Sequence, residues 1–240
     1  MAAKDLDIEQ LASYLHLNIE QVTKLVERGK LPGRRVGGQW RFSEAEIHHW
    51  LEDRIGLSDA DELGEVRKWL DQLPSGPNDP SDRFADLLPL ACIAVPLPAK
   101  TRGSVIREMC DLAAQSGYLW DSGAMAEAVQ AREDLHPTAL ENGVALLHPR
   151  RPQTSNLGES VIAMGITSHP IAFGNRSGRP TDIFFLICSL DDRVHLQILA
   201  KLSRLVHEDD LMDRLREATS ASEAYEMILE VEANWEGQAT

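Results

Sequence analysis

The 240-residue chain carries 24 Lys+Arg against 38 Asp+Glu, a formal net charge of −14, and 43% of its residues are hydrophobic. The length exceeds one ordinary core and the apolar content is enough to fold two domains. No apolar run approaches the roughly 20 residues that a bilayer span requires, and "MAAKDLDIEQ" resembles neither a signal nor a transit peptide, so a cytoplasmic location is expected. Cys92, Cys110 and Cys188 are scattered, odd in number and flanked by apolar residues. They read as reduced core residues, not as a disulfide frame or a zinc site.

The first fifty-odd residues have their own pattern. Ile8, Leu11, Ala12 and Leu15 fall on one helical stripe, and Ile19, Val22, Leu25 and Val26 on another. Asn18 is placed to cap the second helix and Gly29 to stop it. Two short helices joined by a tight turn predict a helix-turn-helix. "RRV" and "QWRF" flank Gly37 and Gly38, which predicts a hairpin. A third helix, "SEAEIHHWLEDR", follows behind a Ser43 cap with Glu46 at the capping-box position, and it buries Ile47, Trp50 and Leu51. His48 and His49 are adjacent on it and diverge, so they share no metal.

Charge marks this segment. Residues 1–58 hold 8 Lys+Arg and 9 Asp+Glu, whereas residues 59–240 hold 16 and 29. Within positions 21–41, six basic residues (Lys24, Arg28, Lys30, Arg34, Arg35, Arg41) meet one acid, Glu27. A basic stripe on an acidic chain is the footprint of a small DNA-binding face. The same fold also serves as a protein-docking module, and Glu20, an acid at the start of the second helix, counts against DNA by repelling phosphate, although it could accept from a cytosine amino group.

With "KLPGRRVGGQWRFSEAEIHHWL" as its most recognisable stretch, the segment from about Asp5 to Arg54 resembles the excisionase-like, MerR-type winged helix-turn-helix. The resemblance implies that the second helix enters the major groove and that the hairpin is a wing on the backbone. Gln21 and Lys24 would then face bases or phosphates, with Arg34, Arg35, Gln39 and Arg41 on or near the wing.

Residues 58–83 read as a linker. Val66, Trp69, Leu70 and Leu73 repeat at helical spacing, so a short amphipathic helix is expected there, ended by Pro74, Gly76, Pro77 and Pro80. Its apolar stripe packs on a domain or, as a second reading, forms a homodimer contact.

Residues 84–236 alternate as an α/β domain. Strands are expected near 93–95, 144–147, 161–166 and 182–189, with helices near 104–116, 122–132 and from Val194 onward. "TDIFFLICS" is a continuous apolar run, as a central buried strand requires. His148 closes the apolar run "NGVALLH", and His195 lies on the first turn of the helix after the central strand. A helix start beside a strand end favours an anion. A lone strand-end histidine is more often structural. Three imidazoles, His136, His148 and His195, also suit zinc with an open position.

From about Phe84 to Glu232 the chain resembles the enzyme IIA domain of the bacterial phosphotransferase system, of the fructose, mannitol and nitrogen-regulatory type. The matching segments are "DLLPLACIAVPL", "GSVIREMCDLAAQSG", "AREDLHPTALENGVALLHPR", "RSGRPTDIFFLICS" and "HLQILAKLSRLVHEDDLMDRLREATSASEAYEMIL". The resemblance implies a mixed sheet flanked by helices. It makes His148 the phosphorylated residue, His195 its partner and Arg132 the residue beside the phosphate; from the residues themselves, Thr138 could add a hydroxyl to the same anion site. It implies no cofactor and no metal, and a histidine-containing phosphocarrier protein as the donor.

Two departures stand out: His136-Pro137-Thr138-Ala139 replaces the usual Gly-Ser-Thr-Gly, and Leu147 replaces the proline before the active histidine. Glycine in such a turn lets amides approach an anion, and Pro137 has no amide to offer. The expectation is a regulator that couples phosphorylation of His148 to DNA binding and transcription control. Two alternatives stay open: a sugar-uptake phosphocarrier whose N-terminal module docks a protein, and a DNA-binding regulator whose enzyme IIA-like domain has lost phosphotransfer.

Overall fold

In the computed structural model of the chain, residues 5–14, 18–29, 31–43, 46–47, 50, 83–175, 178–208 and 210–238 are described. The chain divides into two units, residues 1–76 and 77–240. The expected linker helix, with Val66, Trp69, Leu70 and Leu73, lies outside the described residues.

In the first unit, α1 (Ile8–Tyr14) and α2 (Ile19–Glu27) form the expected helix pair. Asn18 Oδ1 accepts the Gln21 N–H at 2.8 Å while Gln21 Oε1 accepts the Asn18 N–H at 3.0 Å, a reciprocal capping box. Leu11, Ala12, Val22 and Val26 are buried. Ile19, expected on the same stripe, is 49% exposed, because it sits at the helix start one turn beyond the buried Val22 and Val26. After Gly29, whose φ is +65°, β2 (Arg34–Val36) and β3 (Gln39–Ser43) pair antiparallel. Gly37 and Gly38 have φ of +60° and +82°. Positive φ at both central residues defines the type I′ turn, whose twist matches the hairpin's.

Sequence periodicity places the start of the first helix in "LDIEQ", but Asp5–Leu6 forms a short strand, β1, antiparallel to β3. Two residues are too few for alternation to show. The third helix is described at residues 46, 47 and 50, where Ile47 is fully buried, and its remainder lies outside the described residues.

The second unit is built on β4 (Ile93–Ala94), β5 (Val144–Leu147), β6 (Val161–Ile171) and β7 (Thr181–Cys188). Their order is β4-β6-β7-β5. β4 runs parallel to β6, β6 antiparallel to β7, and β7 parallel to β5, a mixed sheet. Alternate residues of β7 point to opposite faces. Phe184, Leu186 and Cys188 join the core formed with α3 (Arg102–Ala114) and α4 (Ser122–Leu135). Phe185, on the other face, meets Phe84 edge-on at 6.4 Å. Both faces are covered, which is why the strand reads as one apolar run.

Three more helices follow: α5 (Asp192–Val206), α6 (Leu211–Glu217) and α7 (Ala221–Gln238). The buried Glu232 of α7 accepts the N–H groups of Phe84 and Ala85, the latter at 2.9 Å, and so ties the last helix to the start of the unit. All three cysteines are buried and unbridged. Burial pushes the Cys110 thiol up to about 12, so it is not a thiolate at neutral pH.

The turn into β5 depends on Gly143, which has φ of +87°. Its carbonyl accepts the Asp182 N–H at 3.0 Å. A Cβ there would stand 2.9 Å from Arg216 Nη2. That guanidinium is held by Asp182 at 2.9 Å and by the Asn142 carbonyl at 2.6 Å. Gly143→Ala is therefore expected to destabilise the unit by about 1–3 kcal/mol, read as a lower thermal midpoint.

Candidate functional site

Because β5 and β7 are parallel neighbours, with Leu147 opposite Leu186, their carboxyl ends lie side by side. That edge is where α/β sheets place ligands. His148 follows β5 directly. After β7, the Asp191 side chain caps α5 by accepting the Val194 N–H at 2.8 Å, which sets His195 on the first turn. The two imidazoles meet with ring centroids 5.0 Å apart and planes inclined by 52°. Each residue is only 3% exposed.

The His148 ring is oriented by its own strand. Nδ1 lies 2.8 Å from the Leu146 carbonyl oxygen. A carbonyl only accepts, so Nδ1 carries the proton and, in the neutral ring, Nε2 carries the lone pair. Nε2 is therefore the ring nitrogen with basic, nucleophilic character.

The last turn of α4 supplies Arg132 and Glu133, both buried. Arg132 Nη1 donates to the His136 carbonyl at 2.7 Å, satisfying an oxygen exposed where the helix ends. Glu133 accepts the Thr138 N–H at 3.1 Å and also the Thr138 hydroxyl. Arg102 Nη2, at the start of α3, is 3.5 Å from Glu133 Oε2. Burial pushes the Glu133 carboxyl up, while the Thr138 hydroxyl and the charges of Arg102 and His148 pull it back.

The His136-Pro137-Thr138-Ala139 segment covers the edge of β5. The Leu146 N–H donates to the Thr138 carbonyl at 3.3 Å, and Ala139 bridges Ala145. Pro137 lies against Gly174, where a Cβ would stand 3.2 Å from Pro137 Cγ. Thr138, expected to offer its hydroxyl to an anion, directs that proton to Glu133 instead.

His148 and His195 are thus brought together, with Arg132 on the turn that carries Glu133 and the Thr138 segment. The His136 side chain is half-buried, and its carbonyl anchors Arg132. Among the described residues no three His, Cys, Asp or Glu side chains converge to hold a metal ion. Sequence reasoning misses Glu133 and Arg102. The signal for Glu133 is an acid in the last turn of a helix, where the dipole disfavours it and a local partner must compensate.

On the helix-turn-helix unit, Gln21, Lys24, Arg34, Arg35 and Gln39 are exposed and Arg41 is half-buried. Most are engaged locally. Lys24 pairs with Glu20 at 2.7 Å, Arg34 with Asp5 at 2.8 Å and Arg41 with Asp7 at 3.9 Å. Arg41 also donates to Gln39 at 3.3 Å, and the Gln21 side-chain carbonyl is used in the capping box. Arg35 lies over the Trp40 ring at 4.9 Å, and Trp40 in turn stacks on Phe42.

Comparison with known proteins bears out the class. Residues 86–231 match the family described as phosphoenolpyruvate-dependent sugar phosphotransferase system, EIIA 2, and residues 6–55 match a helix-turn-helix domain. The chain belongs to that EIIA 2 family and carries an N-terminal, excisionase-like helix-turn-helix domain.

A nitrogen regulatory protein of Pseudomonas aeruginosa is 27% identical over 140 residues, 58% of this chain and 89% of its own length. A fructose-specific EIIA component of Haloferax volcanii is 27% identical over 150 residues, 62% and 96% of the two chains. The fructose-specific EIIABC component of Bacillus subtilis is 26% identical, but the match spans only 23% of that longer protein. Among solved structures, the nitrogen regulatory protein IIA-Ntr from Neisseria meningitidis superposes with a TM-score of 0.54 at 23% identity, covering 60% of this chain and 98% of its own. The mannitol IIA of Escherichia coli gives 0.52 at 20%, covering 58% and 97%. These likenesses establish the mixed α/β fold. Among the described residues no helix is long and apolar enough to cross a membrane.

Proposed function

We propose that the protein is a cytoplasmic regulator that accepts a phosphoryl group on His148 from a histidine-containing phosphocarrier and relays that state to DNA binding and transcription control. The observation that carries the reading is the paired, buried His148 and His195, with Nδ1 of His148 committed to the Leu146 carbonyl. In the transfer, the Nε2 lone pair forms the new N–P bond while the bond to the donor imidazole breaks, and the donor nitrogen keeps that electron pair. His195 and Arg132 offset the charge of the phosphoryl oxygens.

The helix-turn-helix domain supports DNA as the second partner, and its six basic residues between positions 21 and 41 supply the phosphate contacts. The reading is tested with the full chain and a duplex selected by it from a random-sequence pool. Phosphorylation is expected to change the affinity for that duplex by about 5- to 150-fold. Equal affinity before and after phosphorylation sinks the coupling. A DNA-binding regulator without phosphotransfer is the second reading, favoured by His136-Pro137-Thr138-Ala139 and Leu147 standing where the family has glycines and a proline.

A further inference from the structure

We propose that Glu133 is a positioning residue that fixes the orientation and tautomer of the His148 ring, acting through Thr138 and Leu146. The connection is continuous. Glu133 accepts both donors of Thr138, the N–H at 3.1 Å and the hydroxyl. The Thr138 carbonyl accepts the Leu146 N–H at 3.3 Å. The Leu146 carbonyl accepts from Nδ1 of His148 at 2.8 Å. A single buried carboxylate therefore sets the segment that lies along β5, and that stretch of β5 sets which ring nitrogen keeps its proton.

The placement of Glu133 is otherwise unfavourable. It is 1% exposed and sits in the last turn of α4, where burial and the helix dipole both disfavour a negative charge. Arg102, 3.5 Å away and itself 3.5 Å from Asp134, offsets only part of this. An apolar side chain would occupy the position at lower cost but would give Thr138 no acceptor for its two protons. Pro137, which lacks an N–H, leaves the Thr138 amide as the first donor after His136 for anchoring the segment.

The rate consequence rests on the reading of His148 as phosphoacceptor, whereas the tautomer consequence does not. The test uses the full chain labelled with ring-15N histidine, with the His148 signals assigned by loss in His148→Gln. Wild type is expected to show Nδ1 protonated in the neutral ring. In Glu133→Ala the two tautomers are expected to mix, and phosphorylation by the carrier to slow by about ten- to a hundredfold, the cost known for removing partners that orient metal-bound histidines. Glu133→Gln keeps the shape and one acceptor oxygen, and restores both readouts toward wild type.

Thr138→Val removes the hydroxyl from the same connection and shifts the tautomer in the same direction, so it carries the test should Glu133→Ala not fold. A purely structural Glu133 would lower the melting temperature and leave the tautomer of the folded protein untouched. A wild-type tautomer in folded Glu133→Ala or in Thr138→Val overturns the proposal. If wild type takes no phosphate, the functional reading fails while the tautomer comparison still decides the role of Glu133.

Discussion

His195→Ala is expected to slow phosphorylation of His148 by about a hundred- to a thousandfold, the range seen when one preorganised donor to developing charge is removed from a buried site. The reason lies in the geometry. The imidazoles are 5.0 Å apart between centroids and almost wholly shielded from water, so a phosphoryl group arriving at Nε2 of His148 has few solvent donors. In the proposed function His195, whose ring lies against that of His148, is the donor placed to meet its oxygens. The measurement is a time course of phosphate incorporation at saturating donor, with circular dichroism to confirm the fold. A wild-type rate would remove His195 from the site, while His148→Gln should take up no phosphate at all.

The second large effect concerns DNA. Lys24→Ala combined with Arg35→Ala is expected to lower affinity by about ten- to a hundredfold at moderate salt and to reduce the salt slope by about two, one for each cation withdrawn from the phosphate backbone. Lys24 pairs with Glu20 in the free protein, but an exposed pair of this kind is worth only about 0–1 kcal/mol and exchanges readily for a phosphate. Arg35 is held over Trp40 on the wing, so little side-chain freedom is given up on binding. Titration against duplex DNA at several salt concentrations reads both quantities. An unchanged affinity and slope would turn the module into a protein-docking domain.

What the sequence makes visible follows a physical division. Val144–Leu147 and the run "TDIFFLIC" are legible because a strand buried on both faces has almost no polar residue to interrupt it. His148 is legible because it ends such a run. The apolar pattern predicts an end to β6 near Ile166, since Ser168, His169 and Pro170 break it. The strand runs on to Ile171, which pairs with Thr181 across an irregularity in register.

Asn18 and the Gly37-Gly38 turn are local signals and can be read from neighbouring residues alone. The ion pair of Arg34 with Asp5, 29 positions away, depends on β1 and cannot. Glu133 belongs with it. Its partner Thr138 is close in the chain, but its effect on His148 passes through a strand edge that only the folded sheet creates.

The most direct measurement is the intact mass of the purified full chain after incubation with phosphoenolpyruvate and the general phosphotransferase enzymes, under non-acidic conditions that preserve phosphohistidine. A His148 phosphoacceptor predicts one added phosphate on wild type and none on His148→Ala. No phosphate on a folded wild-type protein with an active donor, or an equal phosphate on the variant, would contradict it.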